Sequence, residues 1–338
     1  MKILSLDGGG VRSTATAMVL ENLEAWLRHR DSSIYQEFDM FAGTSSGALL
    51  VADMVYGDMT AAGISRECND IRFSLMMPPN SLERALGSLQ LRPLYDGIGK
   101  RAMLSRHIKA TTRLCDTQKH VLMTGFDIDS RRPINFCSWK PNSHILVRDV
   151  LDISTATPGY FPIATTTSSG DRIRGVDGML VGTNPTDIAY TYALSLVGKD
   201  ADIRVLSIGS GCSGYNRATM HDQAGGLQWF NQGELMETLF DAPQHITEFK
   251  MEGLTKALGH KYIRVNGVIP NSRLDDTKAL NVSCLKERGN TWWRQHKHEI
   301  CREIFDYNSE DEEEDDDGDE DEDDDDDSDY EEEEGTEE

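Results

Sequence analysis

Short apolar runs alternate with glycine-rich or polar turns along most of this chain, and the runs fall into the two periods that separate strands from helices. Ile3-Leu4-Ser5-Leu6 is too short for a helix and reads as a first strand. The turn Asp7-Gly8-Gly9-Gly10-Val11-Arg12 follows it, and then a helix with Val19, Leu23, Trp26 and Leu27 among its apolar positions. The pattern repeats at Phe38-Asp39-Met40-Phe41-Ala42, which passes through Gly43-Thr44-Ser45-Ser46-Gly47 into the helical run Ala48 to Val55. Val121 to Ile128 and Ile203 to Ile208 read as further buried strands, with helical stretches predicted around 64–75, 99–114 and 229–249. Residues 281–305 form an amphipathic terminal helix anchored by Trp292, Trp293, Ile300 and Ile304. Strands separated by helices predict an α/β fold with a mostly parallel central sheet covered by helices on both faces.

Periodicity ends near residue 308. The formal charge of -24 is carried entirely beyond that point, because residues 309–338 hold 24 acids and no base, while residues 1–308 balance 34 acids against 34 bases. One folded domain over 1–308 and a disordered acidic tail over 309–338 are therefore expected, since the tail has too little apolar surface to offset chain ordering. The neutral body shows no basic stripe and the tail repels phosphates, which argues against nucleic acid as a partner. The six cysteines are scattered without a Cys-x-x-Cys pair, so neither a disulfide framework nor structural zinc is indicated. The opening residues are too short for a secretory signal, and no run approaches the ~18 to 20 apolar residues of a membrane span. A cytoplasmic protein is expected, with no metal or cofactor demanded by any motif.

Two of the turns carry chemistry. In Gly43-Thr44-Ser45-Ser46-Gly47, a serine sits between strand and helix with glycines two residues to either side, the arrangement a strained nucleophile elbow requires. The helix that follows directs its free amides and positive dipole end at Ser45, favouring negative charge there. The triple glycine of residues 8–10 has several readings. A phosphate loop needs a Lys that is missing, and a dinucleotide fingerprint needs a glycine where Ser13 stands. An inert connector and an oxyanion hole remain, and the neighbouring elbow favours the latter, with the Gly8, Gly9 and Gly10 amides as donors. Arg12, at a helix start, reads as a structural ion-pair partner supporting that loop or as a substrate ligand.

Asp7-Gly8-Gly9-Gly10-x-Arg12 followed by Gly43-Thr44-Ser45-Ser46-Gly47 resembles the patatin-like phospholipase family. Ser154-Thr155-Ala156-Thr157-Pro158-Gly159-Tyr160-Phe161-Pro162 is similar to the family's segment before its catalytic aspartate, and Gly175-Val176-Asp177-Gly178-Met179 offers that aspartate, with Asn184-Pro185 following. Leu206-Ser207-Ile208-Gly209-Ser210-Gly211 matches a late strand and glycine turn. The resemblance covers about residues 1–305 and implies a three-layer α/β fold and a calcium-independent lipid acyl hydrolase. It further implies Ser45 as nucleophile, Asp177 as general base and the Gly8 to Gly10 loop as oxyanion hole. Membrane lipid or a lipid aggregate is the implied substrate, met through transient peripheral contact.

The chain departs from the family at Ser13, Ala48, Met179 and Thr183, none of which removes a reacting group; Met179 places a bulky side chain beside the base. Two rival readings stand beside the dyad. A Ser-His-Asp triad of α/β-hydrolase type would draw its histidine from His221, His245 or His260. A non-catalytic lipid-binding or scaffold protein would make the acidic tail its working part, docked on a basic partner. Around Met76-Met77-Pro78-Pro79 an apolar loop touching the bilayer and an ordinary packed insertion are both compatible with the residues, and the packed insertion is the expectation.

Overall fold

A computed structural model of the chain describes residues 1–70, 72–78, 92–141, 143–168, 170–213, 225, 234–270 and 273–307. The acidic tail, His221 and Pro79 lie outside the described residues. In chain order the strands are β1 (Lys2–Leu6), β2 (Met40–Gly43), β3 (His120–Asp127), β4 (Arg132–Cys137), β5 (Ala164–Ser168), β6 (Asp171–Asp177), β7 (Arg204–Ile208), β8 (Cys212–Ser213), β9 (Lys261–Val265) and β10 (Val268–Ile269). The helices are α1 (Ser13–Arg28), α2 (Ile34–Glu37), α3 (Ser46–Val55), α4 (Ala61–Asp70), α5 (Arg72–Met76), α6 (Ile98–His107), α7 (Val147–Ser154), α8 (Thr186–Val197), α9 (Glu234–Leu258) and α10 (Ala279–Phe305).

The main sheet runs β5-β6-β3-β2-β1-β7-β9, with β4 also paired to β3. Its centre, β3-β2-β1-β7-β9, is parallel throughout, as expected, and β4, β5 and β6 extend it in antiparallel sense. Alternation along the strands divides the core into two layers. Leu4, Leu6, Phe41, Val121, Met123, Leu206 and Ile208 face α1, α3, α7 and α10. Ile3, Met40, Ala42, Leu122 and Val205 face Ala189, Tyr190 and Ala193 of α8 and Met251 of α9. Near-continuous apolar runs with both faces covered are what a buried parallel sheet demands. No helix among the described residues is long and apolar enough to cross a membrane.

Register along β3 decides where the functional loops meet. Gly43 at the end of β2 pairs with Met123, and Asp177 at the end of β6 pairs with Gly125. Because β4 occupies the other edge of β3 through both pairings, β2 and β6 share one edge and approach along it from opposite directions. At about 3.3 Å per residue, their ends are brought within two residues' length of each other.

Candidate active site

Ser45 joins β2 to α3 with φ 53° and ψ −122°, a conformation that is costly for a residue with a side chain. The crowding explains its glycines. A Cβ on Gly43 would lie 2.6 Å from the Ala48 nitrogen, and one on Gly47 would lie 2.3 Å from the Leu6 carbonyl oxygen, so any side chain at either position collides with backbone. At the start of α3, the Gly47 amide donates to Thr44 O at 2.8 Å and the Ala48 amide to Ser45 O at 3.0 Å, and Leu49 also donates to Ser45 O. The Ser46 amide has no acceptor among the described residues. The amide of Ser45 itself donates to Ser154 Oγ at 3.2 Å, bracing the elbow against α7.

Asp177 closes β6 and caps the short turn Gly178–Leu180, its Oδ1 accepting the Met179 amide at 2.9 Å. Its Oδ2 accepts two hydroxyls, Ser45 Oγ at 2.7 Å and Thr157 Oγ1 at 2.6 Å. Ser45 is 6% exposed and Asp177 fully buried. Burial pushes the Asp177 carboxyl up to about 6; the hydroxyls of Thr157 and Ser45, the Met179 amide and the charge of Lys100 pull it back. Met179 does not obstruct the base. Its side chain packs with Phe240 and Leu274 while its amide holds the carboxylate.

The glycine loop abuts the elbow, since a Cβ on Gly8 would lie 3.1 Å from Ser45 Cβ. Its three amides are not equivalent. Gly8 donates to Thr183 O at 2.9 Å and Gly9 to Ser46 Oγ at 3.0 Å. Gly10 alone of the three has an amide with no acceptor among the described residues. Among the described residues the loop therefore presents one free amide, that of Gly10, beside the free amide of Ser46, one of those at the helix start expected to face Ser45. Ser210 Oγ donates to Gly8 O at 2.7 Å and fixes that peptide plane. Ser13, the departure from the family pattern, donates to Ser46 Oγ.

Arg12 is buried and donates through Nη2 to the Gly211 carbonyl, with Asp241 of α9 at 3.8 Å and the Phe240 ring beside it. These contacts make it a brace for the loop. Beneath the loop, Arg264 of β9 grips Asp7 with both nitrogens, at 2.9 and 2.5 Å. Burial raises the Asp7 carboxyl and Arg264 opposes the rise.

Gly10, Ser45, Ser46 and Thr157 open onto a pocket walled by Leu49, Phe73, Met76, Met77, Thr155, Tyr160, Phe161, Phe240 and Leu274. Met76 and Met77 are buried in that wall, as the packed reading of this segment expected. Of the candidate histidines, His260 is held by Tyr190 Oη at 2.6 Å and Lys199 O at 3.0 Å, and His245 is exposed. Neither bonds to Ser45 or Asp177, and both oxygens of Asp177 are engaged without them.

Comparison with known proteins returned a family model, the patatin-like phospholipases, matching residues 4–190. Patatin-like protein 1 of Arabidopsis thaliana is 27% identical over 324 residues, covering 84% of this chain and 76% of its own. A cGAMP-activated phospholipase of Pseudomonas aeruginosa is 28% identical over 303 residues, covering 85% and 86%. A protein of Solanum tuberosum named probable inactive patatin-3-Kuras 1 is 26% identical over 337 residues, covering 90% and 89%.

Proposed function

This chain belongs to the patatin-like phospholipase family, and on that premise we propose that it hydrolyses fatty acyl esters of lipids through a serine acyl-enzyme, with Ser45 as nucleophile and Asp177 as general base. The observation that carries the reading is the 2.7 Å hydrogen bond from Ser45 Oγ, which lines a largely apolar pocket, to Asp177 Oδ2. Ser45 Oγ attacks the ester carbonyl carbon as its proton passes to Oδ2, and the tetrahedral oxyanion is met by the free amides of Gly10 and Ser46. Collapse of that intermediate breaks the carbon–oxygen bond to the lipid alcohol, which leaves with the proton held by Asp177. Water then attacks the acyl-enzyme, giving its proton to Asp177, and the fatty acid departs as Ser45 recovers its hydroxyl. A carboxylate titrating at about 6 is ionised at neutral pH and is a stronger base than an ordinary aspartate, which suits it to act without histidine.

The lining of the pocket suits an acyl chain. In this reading residues 1–308 form the hydrolase domain, the substrate is drawn from a membrane or lipid aggregate by transient contact, calcium is dispensable, and the protein works in the cytoplasm.

A fluorophosphonate probe tests the reading directly. It is expected to label Ser45 in the wild type, with labelling and esterase activity lost in S45A, reduced at least 10³-fold in D177N, and retained in H245A, H260A, H221A and in EDTA. Labelling that survives in S45A, or a histidine variant as inactive as D177N, would overturn it. A wild type that binds vesicles but neither labels nor hydrolyses would mark a non-catalytic lipid-binding protein instead; one potato relative is itself named as probably inactive.

A further inference from the structure

Asp177 Oδ2 accepts two hydroxyls, and the mechanism above uses only one of them. Thr157 Oγ1 lies 2.6 Å from the oxygen that Ser45 Oγ approaches to 2.7 Å. A carboxylate oxygen offers two lone-pair directions, so with Thr157 on one of them the other is left for Ser45. On Oδ1 the Met179 amide prevents the group from turning over. The position of Thr157 is itself fixed. Its carbonyl accepts the amides of Tyr160 and Phe161, each at 3.0 Å, and the preceding carbonyl, Ala156 O, accepts the amide of Asp177 at 3.1 Å. The segment is thus tied to Asp177 by backbone and by side chain at once.

Resting on the reading of Ser45 and Asp177 as nucleophile and base, we propose that Thr157 is a positioning residue that fixes which oxygen of Asp177 receives the serine proton and directs its free lone pair at Ser45. The hydroxyl also stabilises the carboxylate charge by a charge-assisted hydrogen bond. Lys100 of α6, itself held by Asp152 at 2.8 Å, is the charged side chain among the described residues that acts on Asp177. Removing the hydroxyl therefore withdraws one stabilising group from the ionised form alone.

The test is the pH profile of fluorophosphonate labelling and of ester hydrolysis, from about pH 4.5 to 9. In the wild type both fall as Asp177 takes up a proton, near pH 6. In T157V, which keeps the side-chain shape, the acid limb is expected to move up by about one pH unit, with kcat on the plateau about tenfold lower and KM unchanged. T157A, which only deletes atoms, is expected to show the same shift should the valine disturb packing, and T157S to restore both the limb and kcat. An acid limb that stays in place in T157V and T157A, or one that T157S fails to restore, overturns the role of Thr157 while leaving the function of Ser45 and Asp177 intact. A wild type in which Ser45 is never labelled overturns both.

Discussion

Ser45 illustrates how local sterics make a site readable. Its positive φ forbids side chains on the glycines that flank it, so the crowding of strand against helix is printed in the sequence as Gly-x-Ser-x-Gly. Asp177 was legible only through the family resemblance of Gly175-Val176-Asp177-Gly178, since the strand that carries it gives little apolar signal. Thr157 was not, because its value lies in a contact twenty residues away in the chain and only the folded segment directs its hydroxyl. The glycine loop was legible as a loop, but not the separate partners of its amides: successive peptide planes of a bend point different ways, so Gly8 and Gly9 donate to Thr183 O and Ser46 Oγ. Burial of Asp177 makes a prediction independent of activity. Its folded value, about 6, lies above the ~4 of an unfolded aspartate, so the stabilisation it lends is complete below about pH 4 and is lost as pH rises through 6. The stability of D177N relative to the wild type should therefore increase between pH 4 and 7, by about 3 kcal/mol in all, and then level off. Urea unfolding at several pH values measures the difference, and a pH-independent gap would contradict the burial argument.

Between elements, four of the five parallel strands, β1, β2, β3 and β7, were visible as apolar runs because both of their faces are covered. The antiparallel extension was not. Ala164-Thr165-Thr166-Thr167-Ser168 in β5 and Asp171-Arg172-Ile173-Arg174 in β6 are mostly polar, with several residues facing solvent at the sheet's end, and they carry little apolar signal. Yet β6 is the strand that delivers Asp177. The helix expected over 99–114 stops at His107, where the chain leaves to bridge Arg113 with Leu146, and the one expected over 64–75 is described as α4 and α5. Contact between strand ends is secured by Asp7, just past β1, and Arg264 of β9, which reach across β7 to form a buried pair. Arg264 also donates to Ser207 Oγ at 2.9 Å and Gln244 Oε1 at 3.2 Å, so the pair ties the glycine loop to α9 as well. Leaving either charge alone in that interior is expensive. R264M is expected to destabilise by about 3–5 kcal/mol, and D7N/R264M by clearly less than the sum of the two single changes, with a coupling of at least about 1 kcal/mol. Additive losses in a denaturant double-mutant cycle would show that the two side chains do not act as a pair.

For the molecule as a whole, charge and packing are partitioned at one place in the chain. The described body closes with Phe305 and Tyr307, whose rings lie 5.4 and 5.2 Å from that of Trp26 in α1, so α10 finishes the layer over the sheet. All of the net charge lies beyond it, in residues 309–338. Removing those residues takes away none of the described packing and turns a chain of charge -24 into a neutral one. An enzyme that draws its substrate from a membrane must approach lipid head groups closely, and on an anionic surface such a tail opposes that approach over about a Debye length, ~10 Å at 0.1 M salt. A chain ending at Asn308 is therefore expected to bind and hydrolyse anionic phospholipid vesicles better than the full-length chain in 20 mM salt. The advantage should shrink as salt is raised to 0.5 M and be absent on zwitterionic vesicles at any salt. If the tail instead docks on the body or recruits the membrane through cations, the truncated chain will bind anionic vesicles no better, or worse, at low salt. Cosedimentation of the two chains across a salt series separates these outcomes, because only simple repulsion gives the truncated chain an advantage at low salt that fades as screening increases.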